Sequence, residues 1–506
     1  MMKVSVLSSP GRSLVFVLAA FLSFVPNASI GVVFAYTRED FPSDFIFGSA
    51  TSANQVEGAT FEDGRTASLF DTYFHDGADS GYTMDAMCDQ YHKYKDDVQL
   101  MVRTGLDAYR FSISWSRLIP YGRGPINPKG VEYYNNLINE LIKYGIQPHV
   151  TLLHFDLPLQ LEENYTSQGW QDQQFVEDFT KYADVCFELF GDRVLHWTTI
   201  NEPNCYSFVL NAKTPKVINV AHKLLIGHAS VANLYREKYK ATQHGFVGLN
   251  ICANWCLPEG DDEEDLIATQ RVNKLIGWFI DPLLFGDYSD FMKHLLGNEL
   301  PLITKQESEL LIKGSFDFIG LNIYKAIAIK HNPTKGNLAA TCSSKNVGGK
   351  FIQGVLAYFK QVYGNPPIYI HETGLRTFHN TSLKDSSRVD YLSACIESLY
   401  EALRNGSNVK GFFQWSFFDL YELLGGGYTY SFGLYYVDFD DQDRKRYPKS
   451  SAQWYSTFLK GNVTLNPLDL KGISNLELSR KERHLSQVNT TLKMNQQIYD
   501  MFQCLA

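Results

Sequence analysis

Residues 195–203 read Leu-His-Trp-Thr-Thr-Ile-Asn-Glu-Pro, a short, largely apolar run that ends in an amide and a carboxylate. Residues 195–200 have the length and composition of a buried parallel strand, because such strands are covered on both faces and read as continuous runs. The two polar residues that follow, Asn201 and Glu202, lie where such a strand would end.

The same pattern, a short apolar run followed by a polar side chain, recurs along the chain. Stretches with apolar residues at three-and-four spacing and charges between them separate the runs and predict helices. Strands alternating with helices predict an α/β fold, a single (β/α)8 TIM barrel with elaborated βα loops. The other seven runs are 45–50, 107–111, 147–153, 246–249, 316–321, 368–370 and 409–413, and the clearest helical stretches are 90–104, 130–144, 174–190 and 388–404.

The length, charge and composition restrict the class of protein. The chain has 506 residues and a formal net charge of −9, which excludes a basic nucleic-acid scaffold. Its 44% hydrophobic and 20% charged residues are typical of a globular protein. Length suggests about three domains, but no low-complexity linker interrupts residues 41–461. We therefore expect one barrel domain over 36–465 and a C-terminal tail over 466–506.

The N-terminal residues 1–35 are expected to be a signal peptide. Lys3 and Arg12 precede an apolar run over 13–25, which is too short for a bilayer span and matches a signal-peptide core. We expect cleavage after Ala35, with a position nearer Ser29 as the alternative. The mature chain is then expected in the secretory pathway without a membrane anchor. Glycosylation sequons suit that route and occur at Asn164, Asn380, Asn405, Asn462 and Asn489.

Eight cysteines lie beyond the signal segment. An oxidising compartment permits disulfide bonds, which we expect without assigning their pairing. The spacing of Cys252 and Cys256 resembles half of a zinc site, but no second ligand pair follows at a suitable distance. We therefore predict neither a metal site nor an organic cofactor.

Polar side chains follow all eight predicted strands. In a barrel, the loops after the strands form the active site at one mouth, so these side chains would converge. Amides, an imidazole, carboxylates and an indole suit a neutral, hydroxyl-rich ligand, whereas a phosphate would call for a Gly-rich loop or clustered cations. The residues are Gln55, Arg110, His154, Asn201 with Glu202, Asn250, Asn322 with Tyr324, Glu372 and Trp415.

Two of these residues are glutamates that would face each other across the mouth. Glu202 follows the fourth predicted strand and Glu372 the seventh. Cleavage of a glycosidic bond needs such a pair, one carboxyl protonated to donate to the leaving oxygen and one ionised to attack or to activate water. The competing interpretation is that both glutamates form surface or capping ion pairs.

Four motifs, in one order along the chain, carry a family resemblance. They are Phe-Gly-Ser-Ala-Thr-Ser-Ala-Asn-Gln-Val-Glu-Gly at 47–58, Tyr-Arg-Phe-Ser-Ile-Ser-Trp-Ser-Arg at 109–117, His-Phe-Asp-Leu-Pro at 154–158 and Asn-Glu-Pro at 201–203. With them the sequence resembles glycoside hydrolase family 1, specifically the plant β-glucosidases. The resemblance covers residues 36–461.

The resemblance implies an O-glycosyl hydrolase that removes terminal β-D-glucosyl residues from small β-glucosides through a covalent glucosyl-enzyme intermediate. It implies that Glu202 is the acid/base and Glu372 the nucleophile, with carboxyl groups roughly 5 Å apart, as retaining enzymes require. The charge on Glu372 would raise the pKa of Glu202 and keep it protonated for the first step. Implied substrate-binding residues are Gln55, His154, Asn201, Tyr324, Trp415, Glu422 and Phe432, with Arg110 and Asn322 as supporting residues.

The sequence also departs from the family pattern. Residues 206–220 are short where relatives carry a longer loop with a disulfide, and His371, Thr373 and Leu423 differ from the usual residues. Two alternatives therefore stay open. One is a transglucosidase that uses the same intermediate, with an acyl-glucose among the candidate donors, and the other is a catalytically weak sugar-binding remnant. Delivery to the cell wall or to a vacuole and the oligomeric state also stay open.

Overall fold

The computed structural model describes residues 36–71, 87–167, 173–210, 217–334, 338–345, 347–379, 383–422 and 427–461. Compactness divides the chain after Tyr36, and every element given below lies in the unit from Thr37 onward. Within the described ranges, no helix is both long enough and apolar enough to cross a bilayer.

Eight parallel strands close into a barrel in sequence order, and the first strand pairs with the last. This confirms the predicted fold class, and each of the eight predicted runs overlaps one strand. The strands are β1 (Ile46–Ala50), β2 (Ala108–Ser112), β3 (Gln147–Leu153), β4 (His196–Ile200), β5 (Phe246–Cys252), β6 (Phe318–Asn322), β7 (Ile368–Thr373) and β8 (Val409–Trp415).

Side chains fill the barrel interior away from the mouth. The rings of His149 and His196 are stacked with their centres 4.1 Å apart, and Phe413 packs against His149 at 4.9 Å. Burial lowers the pKa of His196 to about 4 and that of His149 well below its usual value. Both imidazoles are therefore neutral core groups at neutral pH, so the barrel is a packed core below its mouth.

Helices follow the strands and cover the barrel. Two predicted helices have the observed bounds, Gln90–Thr104 and Gln174–Phe190. A third begins earlier than predicted, at Pro128, because Asn127 caps it and proline is well tolerated in the first turn. The remaining α-helices are Ala53–Val56, Trp115–Leu118, Leu159–Ser167, Pro203–Leu210, Val217–Leu234, Lys240–Gln243, Glu263–Asn273, Gly277–Phe285, Asp290–Leu296, Lys305–Glu307, Lys350–Val362, Ser386–Arg404 and Ser450–Leu459.

The loops after the strands carry small sheets of their own. Trp255–Pro258, Ala326–His331 and Ala340–Lys345 form a three-stranded sheet. Thr377–Phe378 pairs with Tyr430–Ser431, and Tyr435–Val437 pairs with Arg446–Pro448. Short 3-10 and π turns complete the described elements at Arg38–Asp40, Tyr235–Tyr239, Lys274–Ile276, Gly297–Glu299 and Ser308–Ile312.

A buried ion pair supports the loop that follows β8. Lys449 Nζ lies 2.6 Å from Asp419 Oδ1 and also donates to the Gly433 carbonyl at 3.1 Å. The same Asp419 oxygen accepts the Gly433 N–H at 3.1 Å. The pair therefore joins both sides of the loop that carries Glu422.

Substituting Lys449 by methionine is expected to lower the free energy of unfolding by about 3–5 kcal/mol, because it leaves Asp419 buried without its cation. The urea midpoint of the purified chain measures this change. Lys445→Met is the matched control, since Lys445 is an exposed lysine that pairs with Asp441 near the surface. Equal losses in the two variants would contradict a special role for the buried pair.

Candidate active site

Glu202 lies at the turn between β4 and the helix Pro203–Leu210. Its φ of 45° is in the left-handed region, and its N–H donates to the Asn250 carbonyl of β5 at 3.0 Å. Its own carbonyl accepts the N–H groups of Cys205 and Tyr206 at 2.9 and 2.7 Å. The backbone of Glu202 is thus fixed on both sides, at the carboxyl end of β4.

The carboxylate of Glu372 has two strong donors. Arg110 Nη1 lies 2.6 Å from Oε1, and the Tyr324 hydroxyl donates to Oε2 at 2.6 Å. The side chains of Arg110 and Glu372 are 1% and 4% exposed. The register of β7 shifts around Glu372 against both neighbouring strands, an irregularity of the kind that redirects side chains near active sites. A guanidinium and a phenol therefore stabilise an ionised Glu372.

The carboxyl group of Glu202 has a neutral donor. Asn322 Nδ2 donates to Glu202 Oε1 at 2.6 Å, and Asn250 Nδ2 donates to Asn322 Oδ1 at 2.7 Å, which turns the Asn322 amide nitrogen toward Glu202. Burial, and then the charge of Glu372, raise the pKa of Glu202 to about 8. The sequence predicted the contribution of Glu372, but burial is the larger cause. These different surroundings favour one carboxyl group as the acid and the other as the nucleophile.

Asn201 connects the two glutamates. Its Oδ1 accepts from Arg110 Nη2 at 2.7 Å and from Asn322 Nδ2 at 3.2 Å. Its Nδ2 lies 3.3 Å from His154 Nε2. Burial and the charge of Arg110 lower the pKa of His154 well below its usual value, so the ring is neutral and can accept this bond. The network spans β2, β4 and β6.

The aromatic residues predicted around the sugar lie in the same region. The Trp415 ring is stacked on His154 at 5.7 Å, with an interplanar angle of 14°. Phe432 packs edge-on against Tyr324 at 5.6 Å. The structure thus brings both rings next to the network around the two glutamates, and their roles in sugar binding stay predictions.

Gln55 and Glu422 lie in the segments that follow β1 and β8. Gln55 Nε2 donates to the Tyr421 carbonyl at 2.7 Å, and its Oε1 accepts from the Ser52 hydroxyl at 2.5 Å. The Glu422 N–H bonds the Gly427 carbonyl at 2.9 Å. Burial raises the pKa of Glu422 well above its usual value. Leu423, next in the chain, is outside the described residues.

Two polar atoms of the predicted sugar-binding set are buried without a protein partner. His154 Nδ1 and Glu422 Oε1 have no hydrogen-bond partner within the part of the chain that the structure describes. Buried polar atoms are nearly always hydrogen-bonded in proteins. Both atoms would gain partners from a hydroxyl-rich ligand, which agrees with the ligand class predicted from the strand ends.

The sequence placed Asn250 at the mouth without a specific role, and it did not place Cys205 or Cys252 there. Asn250 orients Asn322, and Cys205 and Cys252 bring their thiols beside Glu202. The available signal was positional, because Cys205 lies shortly after β4 and Cys252 is the last residue of the neighbouring strand β5. The spacing of Cys252 to Cys256 in the sequence gives no indication of this contact.

Only some of the other predicted features lie within the described residues. Asn164 and Asn405 are exposed, whereas Asn380, Asn462 and Asn489 lie outside the described residues, as do residues 1–35, the tail and part of the short loop at 211–216. The expected disulfides stay a prediction, and Cys504 is outside the described ranges. Within the described residues, six cysteines form no disulfide bond: Cys88, Cys186, Cys205, Cys252, Cys256 and Cys395.

Comparison with known proteins gives a single family. The model of glycosyl hydrolase family 1 matches residues 37–464. The glycosyl hydrolase-like protein 1 of Saponaria officinalis is 53% identical over 447 residues, which are 85% of this chain and 97% of the relative. The cyanidin 3-O-glucoside 5-O-glucosyltransferase (acyl-glucose) of Dianthus caryophyllus is 50% identical, over 84% of this chain and 89% of the relative.

Solved structures agree with these relatives. The crystal structure of a rice beta-glucosidase, Os3BGlu6, has a TM-score of 0.78 and 37% identity, and the match covers 83% of this chain and 99% of the rice chain. A mutant of the same rice enzyme, in a covalent complex with Glc, has a TM-score of 0.77.

Proposed function

Since the chain belongs to glycosyl hydrolase family 1 and is an O-glycosyl hydrolase, we propose that it is a retaining β-glucosidase that hydrolyses terminal β-D-glucosyl residues from small β-glucosides. One observation carries the proposal. Glu372 is paired with Arg110 and Tyr324, whereas Glu202 is buried against the neutral amide of Asn322. One carboxyl group is thus prepared to be ionised and the other to be protonated.

In the first step, Glu372 attacks the anomeric carbon while Glu202 donates its proton to the leaving oxygen, and a glucosyl ester forms. Arg110 and Tyr324 hold the attacking carboxylate by both of its oxygens, which limits its rotation.

In the second step, Glu202 removes a proton from water, which attacks the ester and releases glucose with its configuration retained. The ester no longer carries the charge of Glu372, one of the two causes that raise the pKa of Glu202. The pKa of Glu202 therefore falls when the ester forms, and its ionised carboxylate can act as the base in the second step.

A purified chain tests the proposal with an aryl β-D-glucoside that releases a chromophore. We expect turnover, β-glucose as the first product by NMR, and attachment of a 2-fluoroglucosyl label to Glu372 in mass spectrometry. No turnover and no label would reject the proposal. Binding of gluconolactone without any turnover would favour the sugar-binding remnant instead.

The similarity to the Dianthus caryophyllus acyl-glucose glucosyltransferase favours a second candidate, a transglucosidase that uses the same ester. An alcohol or phenol would replace water in the second step. Product ratios with and without a phenolic acceptor separate the two, with an acyl-glucose and an aryl glucoside as alternative donors. Free glucose as the sole product at every acceptor concentration would exclude the transferase.

The value of kcat/KM is expected to fall as the pH rises through about 8, because the first step needs the protonated form of Glu202, whose pKa lies there. The decrease approaches tenfold per pH unit above that value. Rates measured from about pH 5 to about pH 10 at constant ionic strength check this limb. Glu202→Gln should lack the limb, and a limb that persists in this variant would assign it to another group.

We also propose that the chain passes through the secretory pathway to the cell wall or a vacuole. The exposure of Asn164 and Asn405 supports access of the glycosylation enzymes to both sequons. Removal of N-glycans from the protein made in plant cells should reduce its apparent mass. An unchanged mass, with residues 1–35 still attached, would reject this route.

A further inference from the structure

Two cysteine thiols that have no part in the proposed double displacement form a cluster with Glu202. The cluster contains Glu202, Cys205 and Cys252, whose ligand atoms all lie within 4.8 Å of one another, and all three residues are buried. The Cys205 thiol interacts with both the Cys252 thiol and Glu202. Neither cysteine forms a disulfide bond. Two sulfur atoms and one carboxylate are thus close together in the wall of the catalytic mouth.

The fold fixes the spacing of the two sulfurs. Cys205 lies in the first turn of the helix Pro203–Leu210, and Cys252 is the last residue of β5. The side chain of Asn204 donates to the Cys252 carbonyl at 2.8 Å and accepts the Cys252 N–H at 3.1 Å. These two bonds hold the helix start against the end of β5. The thiols are therefore held near each other by the backbone, on short side chains with one rotatable bond to sulfur.

We propose that Glu202, Cys205 and Cys252 form an inhibitory binding site for a thiophilic divalent cation such as Zn²⁺. Thiolate sulfur and carboxylate oxygen are ligands that zinc prefers, at about 2.3 and 2.0–2.2 Å. Tetrahedral coordination at these bond lengths separates the ligand atoms by roughly 3.4–3.8 Å. The cluster would therefore need to contract by no more than about 1–1.4 Å.

The protonation balance of binding is simple. Each thiol, and Glu202 when it is protonated, releases its proton to solvent as its bond to the ion forms. Glu202 can keep the hydrogen bond from Asn322 at Oε1 and coordinate the ion through its other oxygen. Three protein ligands leave a fourth position for water. The ion would not act as a cofactor, because it coordinates Glu202, the carboxyl group that the reaction needs.

The kinetic consequence rests on the proposed function. A coordinated Glu202 can neither donate a proton to the leaving group nor accept one from water. Zn²⁺ should therefore abolish turnover of alkyl glucosides, whose leaving groups need the proton. With dinitrophenyl glucoside, which needs no proton donor, added azide should restore turnover of the metal-bound enzyme, because azide attacks without a general base.

Binding is tested without activity by titrating the reduced full chain with Cd²⁺. We expect one ion per chain and the ultraviolet charge-transfer band of a cadmium thiolate. Cys252→Ser should remove most of the band and weaken Cd²⁺ binding by at least about tenfold, since even indirect ligand contacts contribute that much. Cys186→Ser is the matched control, a buried free thiol on another helix, and should keep the band and the affinity.

Several results would overturn the site. They are an unchanged band in Cys252→Ser, a band equally lost in Cys186→Ser, or inhibition that a thiol reductant reverses and a chelator does not. The last result would identify a Cys205–Cys252 disulfide. If the serine variant does not fold, Cys252→Ala replaces it in the Cd²⁺ titration, and its unfolding midpoint is measured to establish that it is folded. Cd²⁺ binding with the expected signature in a chain that hydrolyses no glucoside would support this site and reject the proposed function.

Discussion

Glu372→Ala is expected to lower kcat/KM for an activated aryl β-glucoside by at least about 10⁴-fold, because the variant has no group that can form the glucosyl ester. The substitution also leaves Arg110 and Tyr324 facing an empty space of carboxylate size. Azide should enter that space and attack directly, giving the α-glucosyl azide in a single displacement. Steady-state rates and NMR of the product measure both effects.

The control for this variant is Glu397→Ala, which removes an exposed glutamate from the helix Ser386–Arg404. It should keep the wild-type rate. Circular dichroism establishes whether Glu372→Ala is folded. A folded Glu372→Ala that keeps more than about a hundredth of the wild-type rate would show that Glu372 is not the nucleophile.

Glu202→Ala is expected to have the second largest effect, and the effect should depend on the leaving group. Hydrolysis of an alkyl glucoside should fall by at least about 10³-fold, the upper part of the range for general acid catalysis. A dinitrophenyl glucoside should still form the ester rapidly, because its leaving group needs no proton. Its turnover is then limited by the second step, where water lacks its base.

Added azide distinguishes the roles of the two glutamates. In Glu202→Ala, azide should attack the ester on Glu372 and give the β-glucosyl azide, the opposite anomer from that expected of Glu372→Ala. The two variants are thus controls for each other. The same anomer from both, or equal losses with both kinds of leaving group, would contradict the assignment.

The barrel could be predicted because its strands are buried on both faces. Each β strand then reads as a short apolar run, and the polar residue after it lies at the mouth whatever the register of its neighbours. That argument places Glu202 and Glu372 without any knowledge of side-chain distances. It also accounts for Asn322, the last residue of β6, whereas Arg110 lies within β2.

The contacts between strand ends could not be predicted in the same way. The bond from Asn250 to Asn322 depends on the register of β5 against β6, where Asn250 is paired with Gly320 and Cys252 with Asn322. A sequence does not specify which of two neighbouring residues at a strand end reaches across. The proximity of Cys205 to Cys252 depends in addition on the Asn204 side chain. Burial of Glu202, the main cause of its raised pKa, follows from all of these contacts together.

The seam between β1 and β8 has a consequence for biosynthesis. Ser49 bonds Gln414 across a separation of 365 residues, and Gln55 bonds Tyr421 across 366. At about 5–20 residues per second, a ribosome needs roughly 20–70 s to make the chain between such partners. During that interval β1 has no last strand to pair with, and its exposed edge is open to misassembly. Closure of the barrel and completion of the catalytic mouth are therefore late and simultaneous, so a chain that ends before Tyr421 lacks part of both.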